Sequence, residues 1–469
     1  MAAALALVPA SAQALSFSGL AAAPTTLQAG AHSNFNVHIG FSGGTPKDLT
    51  ISLPPGEVGD PNATPFCAVA QLNADSCPAN TVVGTASTMI SLLGVLPSPL
   101  PVTGNVYNVA PHPGEPARFG IALHALPLPA PLNALILPPV IIQSGVQLRQ
   151  TDFGLDTIVN NVPNSATLIS LGGSGVPVPI SIGAMDLSLF GTAPGTGKPF
   201  LRNPTSCAPR HAAFQAVPYT GSTAIGQAPP FTLTGCGSLP FSPRFSATLD
   251  VPTRQTAGEK PTLTTSIDQS DGEAGLQDAK VFIPPDMGAD LSRLTPDQVC
   301  SQSDFAAGSC PSVAVLGSAL ATSPLLTAPL SGPVYLVDNP GGVAKIGLDL
   351  RGQLNMRIQG QLGIDNTTEF SGLPDIPISH FQLRFDGGPG GILLTSRDIC
   401  NPPAPVFHAD FQGYNGATAS VASAATVNCA HALGKCKKGK RRRGHRSDAG
   451  AAKKHKKRSC KSKRKRKRH

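Results

Sequence analysis

Ten cysteines are the residues whose spacing most invites chemistry. Eight lie before residue 431: Cys67, Cys77, Cys207, Cys236, Cys300, Cys310, Cys400 and Cys429. Cys67 and Cys77 are 10 apart, as are Cys300 and Cys310, while Cys207 and Cys236 are 29 apart, as are Cys400 and Cys429. Two matched spacings in the same order point to an internal duplication. Zinc would favour Cys-x-x-Cys knuckles, and the chain has none. An even set of thiols in an exported chain builds a disulfide framework instead. The simplest pairing repeats in each half: Cys67–Cys77, Cys207–Cys236, Cys300–Cys310 and Cys400–Cys429. A nested pairing within each half is the alternative. Loops of about 10 and 30 residues would each contribute about 2–4 kcal/mol. Cys436 and Cys460 stand apart, free to pair together, bridge chains or remain thiols.

Other chemistries find less support. "GTGKP" (195–199) ends like a phosphate-binding loop but has no Ser or Thr after Lys198, so no magnesium ligand follows. "GGSG" (172–175) continues with Val176, which spoils a nucleophile elbow. His32, His38, His112, His124, His211, His380 and His408 show no HxH or HExxH spacing. Asp152, Asp156 and Asp365 sit in Gly-containing loops, where Asp usually bonds its own backbone. A calcium site is the sharper reading of those oxygens, without EF-hand or RTX spacing to support it. The sequence therefore assigns no catalytic residue, no metal ligand and no cofactor.

One constellation is electrostatic. From His431 to His469 there are 20 Lys or Arg and one acid, Asp448, a net charge of +19. Lys435, Lys437, Lys438, Lys440, Arg441, Arg442 and Arg443 form one block. Lys453, Lys454, Lys456, Lys457, Arg458, Lys461, Lys463, Arg464, Lys465, Arg466, Lys467 and Arg468 form the next. Residues 1–430 hold the remaining 16 basic and 26 acidic residues, a net of −10. Repulsion and solvation oppose folding of such a run, which predicts a disordered tail over 431–469. Polyanions are its natural partners, through counterion release that is blind to sequence. The acidic body would repel nucleic acid, and it has no Trp and only 4 Tyr for base stacking.

The elements that must position the cysteines read as β. "NFNVHIGF" (34–41), "VPVPISIGAMDLSLFG" (176–191) and "IPISHFQLRFDG" (376–387) alternate apolar and polar residues, as half-buried strands do. "VAKIGLDLRGQLNMRIQGQLGID" (343–365) reads as two or three strands. Gly 49 and Pro 47 supply frequent turns. "LTPDQVCSQSDF" (294–305) reads as one or two helical turns, with Thr295 capping before Pro296. Flanking sequence repeats with the cysteines: "LPPGEVGDP" with "IPPDMGAD", "CPANTVVGTA" with "CPSVAVLGSA", "GNVY" with "GPVY", "ARFG" with "AKIG", and "YTGSTA" with "YNGATA". The expected fold is mainly β, with two tandem β-sandwich-like repeats and long loops, repeat one over 16–243 and repeat two over 244–430, followed by the tail. Repeat one has roughly forty extra residues between its second and third cysteines. Much of that surplus is expected in the Pro- and Leu-rich stretch at 121–148. The segment 121–145 reads as extra core or a covering edge, with an exposed apolar finger as the alternative.

The N-terminus, "MAAALALVPASAQALSF", is an apolar run followed by Ala12-Gln13-Ala14, which predicts a signal peptide over 1–14 without a basic start. No segment reads as a membrane-spanning helix; prolines interrupt the longest apolar stretch, 125–143. "GDPNATPFC", "CPANTVVG", "DFGL" (152–155), "PFLRNPTSC" (199–207) and "TGCGSLPFSP" (234–243) resemble a functionally uncharacterised group of exported, duplicated, Cys-paired β-rich proteins of high-GC Gram-positive bacteria. The resemblance covers most of 16–429 and implies export and duplication; it supplies no reaction or ligand. Together these readings predict a non-catalytic protein, secreted, at the cell surface or bound to the cell wall. The tail would hold it to anionic cell-wall polymer or anionic lipid headgroups, with no sequence-specific nucleic acid as partner. The alternative is a secreted hydrolase with an unrecognised site between the repeats.

Overall fold

Alternation decides the strands. In Phe35–Ser42, Phe35, Val37, Ile39 and Phe41 are buried while Asn36 and His38 face solvent. The same period appears in Arg244–Val251, where Phe245, Ala247, Leu249 and Val251 point inward. One face packs into a core and the other meets water, as antiparallel sheets allow. The computed structural model describes residues 14–430 apart from 129, 131, 171, 172, 174, 254–256 and 291–294. The basic tail, with Cys436 and Cys460, and residues 1–13 of the expected signal peptide over 1–14 lie outside the described residues.

Each repeat folds around one twelve-stranded sheet. In repeat one the spatial order is Ser16–Pro24, Phe35–Ser42, Gly175–Leu189, Val82–Leu92, Leu100–Val109, Arg118–Ala125, Val140–Leu148, Leu155–Val159, Pro46–Ser52, Ala213–Pro218 and Ala224–Gln227. Its last strand returns to its first: a side chain placed on Gly226 would strike Leu20 and Phe17. The sheet is thereby curled into a flattened barrel. Repeat two runs Arg244–Val251, Thr262–Asp268, His380–Phe385, Val315–Thr322, Leu330–Val337, Lys345–Leu350, Met356–Leu362, Thr367–Phe370, Leu276–Phe282, Val406–Gly413 and Thr418–Ala424. Strand for strand, that is the order of repeat one. Sheet two adds Thr426–Cys429, parallel to Arg244–Val251, and sheet one adds Ser165–Ile169 beside Gly175–Leu189. A short ribbon outside each barrel also recurs, Val58–Gly59 with Leu201–Arg202 and Met287–Ala289 with Leu393–Thr395. The expectation of mainly β structure in two repeated sandwich-like barrels holds.

The surplus of repeat one is distributed differently from the sequence reading. The Pro/Leu-rich connection occupies 126–139, against 351–355 in repeat two, so it takes only part of the excess. The rest lies in the added strand Ser165–Ile169 and in Gly175–Leu189, 15 residues long against 6 for its counterpart His380–Phe385. The surplus expected around 121–148 is thus shared between that connection and the strands 165–189. Within 121–145, Leu128 is buried and Leu132, Leu135 and Leu137 pack against the core, while Leu126 and Ile136 remain exposed. This segment mainly extends and closes one end of barrel one.

Candidate functional site

The cysteines fasten helices and hairpins onto both barrels in the same way. Cys67–Cys77 spans the helix Val69–Asn73, and Cys300–Cys310 spans Gln302–Ala307. The Cys67 amide donates to the Asn108 carbonyl at 2.8 Å, and the Cys300 amide to the Leu336 carbonyl at 2.8 Å. Leu72 from the first helix and Phe305 from the second press onto Gly120 and Gly347, where any β-carbon would overlap them. That close approach explains the shared glycine of "ARFG" and "AKIG". Cys207–Cys236 and Cys400–Cys429 close the C-terminal part of each repeat. The Cα–Cα distances are 5.4, 5.9, 5.3 and 6.0 Å in chain order, ordinary for disulfides. "YTGSTA" and "YNGATA" share a role too: the Tyr219 hydroxyl donates to the Val162 carbonyl and the Tyr414 hydroxyl to that of Leu373.

Polar side chains gather where the repeats meet. Asp375 of repeat two is 6% exposed. It accepts from the Thr205 amide at 2.8 Å and from the Thr205 hydroxyl. The same hydroxyl accepts from the Gly275 amide at 2.9 Å. Arg210 approaches Asp375 at 4.0 Å, and Arg202 donates to the Glu273 carbonyl at 2.9 Å. Burial raises the Asp375 carboxyl, against the opposing pull of the Thr205 hydrogen bonds and the two guanidinium groups. Burial, and then the Asp375 charge, push the Tyr414 phenol up to about 12. The contacts of Thr205, Arg210 and Arg202 with Asp375, Gly275 and Glu273 each hold one repeat to the other, so their geometry is that of a latch.

Beside the latch lies an apolar cavity of ≈ 110 Å³, walled by both repeats. Leu53, Phe119 and Phe153 come from repeat one, and Leu326, Leu330 and Met356 from repeat two. Hydrogen bonds stitch its surroundings: Asn62 to the Leu325 carbonyl, Gln353 to the Pro116 carbonyl, and Gln150 to the Asn355 carbonyl. The "DFGL" loop supplies Phe153, held at φ 56, a left-handed conformation that costs about 1–3 kcal/mol. Arg149 braces this loop through Asp152 at 2.8 Å and Asp156 at 2.5 Å, and also reaches the Leu53 carbonyl. Asp152 and Asp156 thus serve an ion pair. Asp365 accepts from the Thr367 hydroxyl at 2.6 Å.

One carboxyl lines this cavity. Glu57 is 1% exposed, and neither of its oxygens has a hydrogen-bond partner. Burial pushes its carboxyl well above the ordinary carboxylate range, which favours the neutral form. Gly56, at φ 88, forms the turn before it and packs so close to Asp375 and Pro204 that a side chain there would collide with both. Counting from the shared Pro-Pro of "LPPGE" and "IPPDM", the place of Glu57 is taken by Met287 in repeat two. Both amides close the same turn, Glu57 onto Pro54 and Met287 onto Pro284. Sequence reading used "LPPGEVGDP" only as a marker of duplication and missed Glu57. The available signal was an acid in one copy opposite a methionine in the other.

Among the described residues no group of three or more His, Cys, Asp or Glu is arranged to hold a metal. His38–Asp186, His124–Asp75 and His380–Asp268 are surface pairs at 2.6–2.7 Å. None of those rings is hydrogen-bonded to a serine, threonine or cysteine side chain among the described residues. No described helix is long and apolar enough to cross a membrane.

No protein-family model matches the chain, and no curated protein matches it. Among solved structures, it is similar to a Corynebacterium diphtheriae protein named as membrane anchored, at 11% identity and a TM-score of 0.18, covering 90% of this chain and 93% of that one. A second is the N-terminal eight Ig domains of Down Syndrome Cell Adhesion Molecule, at 8% identity and a TM-score of 0.09, covering 89% of this chain and 60% of that one.

Proposed function

We propose that the protein is a non-catalytic, exported binding protein of the cell envelope, kept there by its basic tail. The observation that carries this reading is the partition of charge: +19 over 431–469 against −10 over the rest. A cluster of that density binds anionic wall polymer or lipid headgroups by releasing counterions, and salt weakens it. The four disulfides support an oxidising, extracytoplasmic setting. The seam between the repeats supports binding over hydrolysis. Its polar residues are spent on the latch, and its cavity wall is apolar apart from Glu57 and a few hydroxyls. Fractionation of cells producing the full chain or the chain lacking 431–469 tests the anchoring. The full chain should sediment with envelopes at low salt and be released by molar salt, and the truncated chain should be free in both. A truncated chain that stays envelope-bound at low salt overturns the reading.

A further inference from the structure

Packed interiors leave few voids, and burying a polar group without a partner is strongly unfavourable. The seam has both features at one place. Its cavity adjoins a second apolar cavity of ≈ 80 Å³ inside barrel two, and the two share Ser323, Leu326, Leu330, Met356, Pro374 and Ile376 as lining. Both cavities are apolar, with the Glu57 carboxyl on the wall of the first and no charged residue lining the second. Two small apolar volumes side by side suit a flexible unbranched chain better than a fused ring system. The fold does not demand an acid here, because Met287 closes the matching turn of repeat two.

A neutral carboxyl presents one donor and one acceptor side by side. Both Glu57 oxygens lack a protein partner, so the ligand group that satisfies them together must also carry an adjacent donor and acceptor. A carboxylic acid and a primary carboxamide have that pattern; a cation, an ester or a hydrocarbon terminus lacks it. We propose that the seam is a binding site for one linear apolar chain, whose terminal carboxylic acid or carboxamide forms a paired hydrogen bond with Glu57. This deepens the reading of the protein as a binding protein and is independent of the tail, which concerns only where the protein resides.

Decanamide is the test probe, because it is uncharged and is not drawn to the basic tail. Calorimetric titration of the oxidised full chain with decanamide should show saturable binding to one site. Decane should bind at least tenfold more weakly. Glu57→Met should lose at least tenfold in decanamide affinity while keeping wild-type near-UV circular dichroism. Glu57→Gln keeps a donor and an acceptor, so it should bind decanamide within about threefold of wild type; this variant carries the test if Glu57→Met does not fold. Absence of saturable decanamide binding by the wild type overturns the proposal. So does undiminished affinity in folded Glu57→Met, or a tenfold loss in folded Glu57→Gln. None of these results bears on release of the truncated chain from envelopes, so the site and the anchoring fail separately.

Discussion

At the scale of single residues, Glu57 makes the clearest demand on the fold. In the unfolded chain its carboxyl ionises near the ordinary value of 4.5, whereas burial holds the proton to higher pH in the folded state. Between those two points the folded state binds the extra proton, so stability falls as pH rises. The contribution is fully present below 4.5 and is lost once the folded carboxyl ionises. Glu57→Gln removes this titration. In urea melts the variant should match the wild type near pH 4 and exceed it at pH 8, by about 1.4 kcal/mol for each unit by which burial holds the carboxyl's proton above 4.5. Asp375 also titrates upward through burial, but it does so in both proteins and cancels in the difference. Equal melting midpoints at pH 8 would mean that Glu57 is solvated or paired in solution.

At the scale of elements, the duplicated helix staple gives a sharp expectation at Gly347. Gly347→Ala would drive a β-carbon into Phe305 and Val337, two buried side chains on the helix and the neighbouring strand. Overpacking of this kind costs about 1–3 kcal/mol. Gly288→Ala, in the strand Met287–Ala289, meets nothing within 4 Å and should change stability by less than about 0.5 kcal/mol. Guanidinium melts of both variants check the contrast; equal midpoints would show that the helix yields without cost. These elements also mark how far the sequence could be read. Period-two alternation revealed strands such as Phe35–Ser42, and the paired "ARFG" and "AKIG" revealed equivalence between the halves. Strand order was hidden, because partners such as Pro46–Ser52 and Ala213–Pro218 lie far apart in the chain and no local pattern records their pairing. The length of Gly175–Leu189 was legible in the alternation over 176–191, whereas the added strand Ser165–Ile169 that pairs with it across Pro177 and Pro179 was not.

At the scale of the whole molecule, the candidate site belongs to neither repeat. Leu53, Glu57, Leu330 and Met356 meet only because two barrels pack together, so no motif in either half announces the cavity. The polar latch has the same character. Asp375 would be an ordinary acid after a proline if Thr205 and Arg210 did not cover it. Several contacts cross the seam, including Ala274 to the Pro240 carbonyl at 2.9 Å and Asn415 to the Leu239 carbonyl at 3.0 Å. Phe153 and Leu148 of repeat one pack against the core of repeat two. A barrel produced alone would expose this apolar wall and leave the Asp375 carboxyl without Thr205. Unfolding should therefore be coupled: residues 14–430 should melt in one cooperative transition, with coincident fluorescence and circular dichroism signals. Residues 244–430 alone, oxidised, should bind a hydrophobic dye strongly and melt at least about 4 °C lower, since loss of about 2 kcal/mol or more shifts a domain of this size by about 2–4 °C per kcal/mol. If 244–430 instead melts at the temperature of the intact body and ignores the dye, each barrel is self-sufficient and the seam is a surface contact between two independent folds.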